Sequence, residues 1–362
     1  MKSKPDNKND ELNDRYEKFW RWFQENEKEF FFTVKQSSNI EERFFDQLSP
    51  KLGEIKDGFF FLAGMLGDDI AELVFTADGN IADMVYIEEL VNTAPDIAGW
   101  KFTAHKPPID IEKFNIRMGN YEFSKNNLFF YSNDHDEYPD EIDISVIYTD
   151  FNEADQSSIV NGVYIFLDNY LGELKSVTVI DNLLVVGPDE AQKELIPIGK
   201  LNDFLTWREK EFVEKYDGER HNTENDSYSS LEATLENGKP LIAIVNSTLL
   251  AWDHKASHPW ILRIEMKYDG EENNGMPDKP TYQLLDKIED EIMSEMHDVD
   301  GYLNVGRETA DSVREVYFAC KDFRKPSKVM YQLVEKYTDE IDISFEIYKD
   351  KYWQTFQRFM VD

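Results

Sequence analysis

The sequence predicts an α+β fold in two domains, the second ferredoxin-like (βαββαβ) with a preceding β-hairpin. Three observations lead there. At 362 residues the chain exceeds the usual domain size of about 100–200 residues. A polar, turn-rich stretch, "DGERHNTENDSYSS", interrupts the apolar patterning near residue 220. Beyond residue 260 the apolar spacing switches between strand and helix periods in the order strand, helix, strand, strand, helix, strand. The expected domains are residues 1–220, with a leading aromatic helix, and residues 221–362.

In the first half, Leu12, Tyr16, Phe19, Trp20 and Phe23 fall on one face of a helix that follows a polar start over residues 1–9. "GFFFLAG" (58–64) predicts a buried strand, and "AELVFTADG" (71–79) a second strand ending in an Asp78-Gly79 turn. A helix bearing Ile81, Met84, Val85, Ile87, Leu90 and Val91 ends at Pro95. "WKFTAHKPP" is a strand stopped by its prolines, which cannot donate to a ladder. "NLFFYS" and "EIDISVIYTD" are strands, 153–171 a helix, "SVTVIDNLLVVG" a strand, and 199–216 an amphipathic helix.

In the second half, strands over 228–235 and 239–246 are joined through Asn237-Gly238, a strong hairpin signal. "ILRIEMKY" alternates Leu262, Ile264 and Met266 with Arg263, Glu265 and Lys267, as a half-buried strand does. Pro280 opens a helix, "GYLNVG" and "REVYFAC" form a strand pair, Pro326 opens a second helix, and "EIDISFEIY" closes the set. Residues 351–361 make an aromatic tail with a short helix.

Two octapeptides nearly coincide: "YPDEIDIS" (Tyr138–Ser145) and "YTDEIDIS" (Tyr337–Ser344). Their flanks do not align, and the preceding element differs, which argues against simple duplication of the halves.

The segments "HPWILRIEMKY", "NNGMPDKPTYQLLDKIEDEI" and "YLNVGRETADSVREVYFAC", with the closing strand, resemble the bacterial "domain of unknown function 695" family over about residues 225–355. The stretch "ELVFTADGNIADMVYIEELVNTAPDIAGWKFTAHKPP" looks like a region of related uncharacterised bacterial proteins. The resemblance implies no activity and no ligand.

Acidic residues number 73 against 39 basic, a net charge of −34, which repels nucleic acid and anionic lipid and suits a partner with a basic surface. The single cysteine, Cys320, excludes an internal disulfide and fits a reducing, cytoplasmic setting. No apolar run is long enough for a membrane span.

Candidate chemistry is sparse. "WDHKASHPW" offers Asp253, His254 and His258, a carboxylate and two imidazoles at metal-ligand spacing, although Pro259 denies them a helical register. "TADGN" places Asp78 between strand and helix, where an anion site or a simple helix cap would fit, without the glycines of a phosphate-binding loop. "VGRET" places Arg307 at a hairpin, open to a carboxylate or phosphate. "NDHDEYPDE" (133–141) lacks the glycine and terminal glutamate of a calcium loop. Cys320 sits on the apolar side of a strand, as packing. The expectation is a non-enzymatic, acidic binding or regulatory protein needing no cofactor. The alternative is a metal-dependent or hydrolytic enzyme centred on Asp253, His254 and His258.

Overall fold

The computed structural model describes residues 7–360, so the expected polar start lies largely outside it. The fold is mixed α and β, and it divides into two compact units. One holds the described residues up to Asn133 with Ile142–Trp207, and the other holds Asp134–Glu141 with the described part of Arg208–Asp362. The expected boundary near residue 220 therefore falls inside the second unit. There Thr223 donates through its backbone N–H and its hydroxyl to Asp298, each at 2.8 Å, tying the polar stretch down.

The first unit opens with helix α1 (Asn7–Gln36), which buries Tyr16, Phe19, Trp20, Phe23, Phe30 and Val34 on one stripe. A π-turn (Glu41–Phe45) leads into α2 (Asp46–Gly53). Strands β1 (Phe60–Leu66) and β2 (Ile70–Thr76) are antiparallel, and β3 (Trp100–Ala104) runs parallel to β2 after the crossover helix α3 (Ile81–Asn92). The aromatic stripe of α1 meets this sheet: Trp20 lies 5.9 Å from Phe75 and 4.5 Å from Phe102 between ring centres. Its indole N–H donates to Leu90 O at 2.9 Å, which fixes α3 as well. The expectation of a buried strand at "GFFFLAG" is overturned. β1 has alternate residues exposed, so one of its faces is left open, and among the described residues it has a strand partner on one side only.

The rest of the first unit is a hairpin, β4 (Ile116–Met118) and β5 (Tyr121–Phe123), and a sheet of β6 (Leu128–Asn133), β7 (Asp143–Tyr148), β8 (Asn182–Val186) and β9 (Ile196–Pro197). The strand order is β8-β7-β6-β9, with β7 parallel to β8. Helices α4 (Gln156–Leu171) and α5 (Glu173–Val179) form the crossover. Phe123, Phe130, Ile144 and Val146 pack with Ile159, Val163 and Phe166 in one core. Gly162 is required there, since a Cβ would lie 2.2 Å from the Phe123 ring. "SVTV" (176–179), expected as the start of a strand, is instead the end of α5. Its β-branched run is outweighed by tertiary anchoring: the wholly buried Glu173 carboxylate accepts from Gly79 N at 2.9 Å and Lys106 N at 3.1 Å.

Helix α6 (Leu201–Tyr216) spans the division between the units. The second unit has one antiparallel sheet, β10 (Tyr228–Thr234), β11 (Pro240–Asn246), β12 (Trp260–Lys267), β13 (Tyr302–Ala310), β14 (Val313–Cys320) and β15 (Asp342–Lys349). Its strand order is β10-β11-β13-β14-β12-β15. After β11 comes the single turn α7 (Ser247–Leu250). Helix α8 (Lys279–Glu295) joins β12 to β13, and α9 (Arg324–Tyr337) joins β14 to β15. Asp278 caps α8 by accepting from Thr281 N at 2.9 Å, which explains why the helix starts beside Pro280.

The strand period separates two faces. Leu262, Ile264 and Met266 of β12 are fully buried, whereas Arg263 and Glu265 between them are only partly so. On that second face Ile261, Leu303, Val305 and Tyr317 cluster with Trp353, Phe356 and Phe359 of the tail. The turn between β13 and β14 comes at Asp311-Ser312, later than "VGRET" suggested. β13 runs on through a bulge at Gly306, where a φ of 151°, and the 2.5 Å at which a Cβ would lie from Ile244 O, admit no side chain.

Candidate functional site

The second face of the sheet carries a groove of about 510 Å³ lined by Arg263, Glu308, Glu315, Tyr317, Glu346, Tyr348, Thr355 and Arg358. Strand register assembles it. Arg263 on β12 lies opposite Tyr317 on β14 and Glu346 on β15, and Glu315 lies opposite Glu308 on β13. Directly opposed pairs have Cβ atoms about 5 Å apart, so these side chains must interact.

The tail supplies the rest. Asp350 accepts from Thr355 N at 2.8 Å and its hydroxyl at 2.9 Å, which folds the tail back over the sheet. The wholly buried Trp353 holds a left-handed backbone (φ 55°), and its indole N–H donates to His258 O at 3.0 Å. Arg358 is thereby placed to donate to Tyr317 Oη at 2.6 Å and to lie 3.5 Å from Glu308. With the Thr355 proton given to Asp350, Tyr348 donates its hydroxyl proton to Thr355 Oγ1 at 3.0 Å.

The two glutamates on adjacent strands are driven apart in acidity. Burial raises Glu308, Arg358 opposes that, and the like charge of Glu315 adds to it. Burial also works against charge on Glu315, but hydrogen bonds from Tyr317 and Arg263 outweigh it and hold its carboxyl below the usual range. Arg263 Nε donates to Glu315 Oε1 at 2.8 Å, so this arginine is committed. Tyr317 is pushed up by burial and then by Glu315, and stays a neutral donor. Glu346 is 64% exposed, and its carboxylate reaches Arg263 only at 3.9 Å. The groove therefore presents one open carboxylate, one carboxyl that resists ionisation, the ring of Tyr348, and two arginines already engaged, of which Arg358 lies over the buried Tyr317 ring.

The residues singled out in the sequence lie elsewhere. His254 is half-exposed and turns to Glu219 at 2.9 Å, and Asp253 is exposed. His258 is fully buried. Ser257 gives its hydroxyl proton to His254 O at 2.6 Å, so at 2.8 Å its oxygen accepts from His258 Nδ1, which must carry the ring proton. Its Nε2 lacks a hydrogen-bond partner, and burial, with Lys321, Arg220 and His221 nearby, pushes the imidazole down to about 3. Among the described residues no three His, Cys, Asp or Glu side chains are grouped to hold a metal.

Asp78 adopts a left-handed backbone (φ 49°) and pairs with Lys106 at 2.7 Å. The α3 cap is Asn80, which accepts from Ala82 N at 3.1 Å. Arg307 is not at a turn but within β13, held by Glu289 at 2.6 Å and Asp286 at 3.3 Å. Arg314, only 2% exposed, shares both carboxylates at 2.9 and 3.0 Å, so the four residues form an internal ion cluster. Burial raises the Cys320 thiol, which is wholly buried.

None of the candidate site residues read from the sequence lines the groove. The signal was available: charged residues on the polar side of "ILRIEMKY" and "VREVYFAC", strands that pair directly in the predicted fold.

Fold and site together define an α+β protein with an open antiparallel sheet, helices joining its strands, and a charged groove beneath a folded-back tail. Residues 233–361, which include every lining residue of that groove, match a family model described as "Family of unknown function (DUF695)". The second unit resembles that family. No curated protein and no solved structure matches the chain.

Proposed function

We propose that the chain is a non-enzymatic, cytoplasmic binding or regulatory protein, and that its groove takes a basic side chain from the surface of a protein partner. The observation that carries this reading is the imbalance in the groove: both arginines are spent on internal partners, while Glu346 remains open two residues from Tyr348 on β15. A lysine or arginine entering there gains a carboxylate and the Tyr348 ring together. The net charge of −34 supports it by steering cationic surfaces inward and repelling polyanions. A ferredoxin-like assignment for the second unit is supported by the connectivity β12-α8-β13-β14-α9-β15 and the order β13-β14-β12-β15.

The test is capture of partners at two salt concentrations. Basic proteins should be recovered at low salt and lost as the Debye length shortens from about 30 Å at 0.01 M to about 8 Å at 0.15 M. Glu346→Lys should abolish capture with an unchanged melting temperature. Binding should also strengthen as pH rises through the raised pKa of Glu308, because an ionised Glu308 adds a second charge for the incoming cation. Direct binding of the purified protein to DNA or RNA at moderate salt refutes the reading, as do neutral or acidic partners insensitive to salt.

A further inference from the structure

We propose that the free edge of β1 pairs with β1 of a second copy of this chain, antiparallel about Ala63. This inference stands apart from the groove and does not depend on it.

β1 is hydrogen-bonded to β2 along one edge, and among the described residues no strand pairs with the other. Edge strands are usually defended by charge, proline or a bulge. The other unit's edge strand β15 follows that practice with Asp342, Glu346 and Lys349. β1 does not: Gly58–Gly67 contains no charged residue and no proline in a chain that is 31% charged. Phe60, Leu62 and Leu66, on one face of the strand, are 55%, 52% and 44% exposed, and Ile70 beside Leu66 is 44% exposed. Such an apolar stripe marks a contact surface.

What selects a copy of the chain as the occupant is the size pattern "FFLAGML", which is complementary to its own reverse. With Ala63 opposite Ala63, Phe60 faces Leu66, Phe61 faces Met65, and Leu62 faces Gly64. Each Leu62 then overlies a glycine, and a Cβ at Gly64 would have nothing within 4 Å, so there is room. The pairing is two-fold and uses up the edge, so it closes at a dimer. Asp57 falls opposite Asp69 in the same register, and both chains are strongly acidic. Dimerisation should therefore strengthen with added salt, the reverse of the salt dependence expected of a basic partner.

Ala63→Cys tests the register. Cys320 is buried, so the variant has one accessible thiol. Opposed Cβ atoms about 5 Å apart are within reach of a disulfide. Mild oxidation should link Ala63→Cys into covalent dimers and leave Met65→Cys, which faces Phe61, largely unlinked. Light scattering of the unaltered protein at about 100 µM should give a dimer at about 0.5 M salt and more monomer at about 0.02 M. Leu62→Lys should weaken the dimer at least about tenfold with an unchanged melting temperature. The proposal is overturned by a monomer at high salt, by Ala63→Cys chains that do not link, by a dimer that survives Leu62→Lys, or by a monomer that binds an unrelated extended peptide along β1.

Discussion

The octapeptides Tyr138–Ser145 and Tyr337–Ser344 differ at one residue, yet the structure treats them differently. Both enter a strand through a buried isoleucine, Ile142 at 3% and Ile341 at 8% exposure. There the likeness ends. β7 lies between β8 and β6, and Ser145 is 2% exposed, whereas β15 is an edge strand and Ser344 is exposed. The Asp140 carboxylate accepts from Lys215 Nζ at 2.8 Å and from the hydroxyls of Tyr216 and Tyr352, each at 2.7 Å. Its counterpart Asp339 is exposed. Eight residues specify an extended segment with one apolar side. The next three residues decide its place: "VIY" is apolar on both faces and suits a central strand, whereas "FEI" sets a charge between its apolar residues and suits an edge.

Three tests sharpen or break this contrast. The largest effect is expected from Ser145→Asp, which buries an unpaired carboxylate and should cost about 3–5 kcal/mol. Ser344→Asp should cost less than about 0.5 kcal/mol. Denaturant unfolding measures both, and equal losses would break the contrast. Next comes Asp140→Ala, which leaves one ammonium and two hydroxyls without their acceptor and should cost about 2–3 kcal/mol, against about 0.5 kcal/mol or less for Asp339→Ala. The smallest effect concerns pH. Burial disfavours the Asp140 charge, but the hydrogen bonds from Lys215, Tyr216 and Tyr352 outweigh it and lower its pKa. Its contribution is therefore present above the unfolded-state value of about 3.9 and is lost as pH falls through the lower folded value. Melting temperatures of the parent and Asp140→Asn should diverge at neutral pH and converge in acid. Divergence that persists at pH 2 would count against this origin.

Most elements were legible because their patterns were locally unambiguous. The alternation in "ILRIEMKY" and the stripe Leu285, Ile288, Ile292 each admit one period, and the structure has the strand and helix they require. What stayed hidden was decided by distant residues. The β-branched "SVTV" is helical because Glu173 is fastened to Gly79 and Lys106. "FFFLAG" reads as buried because its composition does not reveal that one face of the strand is left uncovered. In the same way, "VGRET" carries no sign that Arg307 is held by Asp286 and Glu289, on a helix about twenty residues earlier. The groove needed the pairing of four strands and a tail, none of which a linear motif encodes.

The folded-back tail has a consequence for synthesis. Trp353, Phe356 and Phe359 cover Ile261, Leu303 and Tyr317, and they leave the ribosome after the whole sheet has been made. At about 5–20 residues per second the earlier strands have seconds in which to pair. During that interval the nascent sheet carries one finished face and one bare apolar face. A chain arrested before Trp353 would keep that face exposed and be an aggregating species, so emergence of Trp353, Phe356 and Phe359 is the step that covers it.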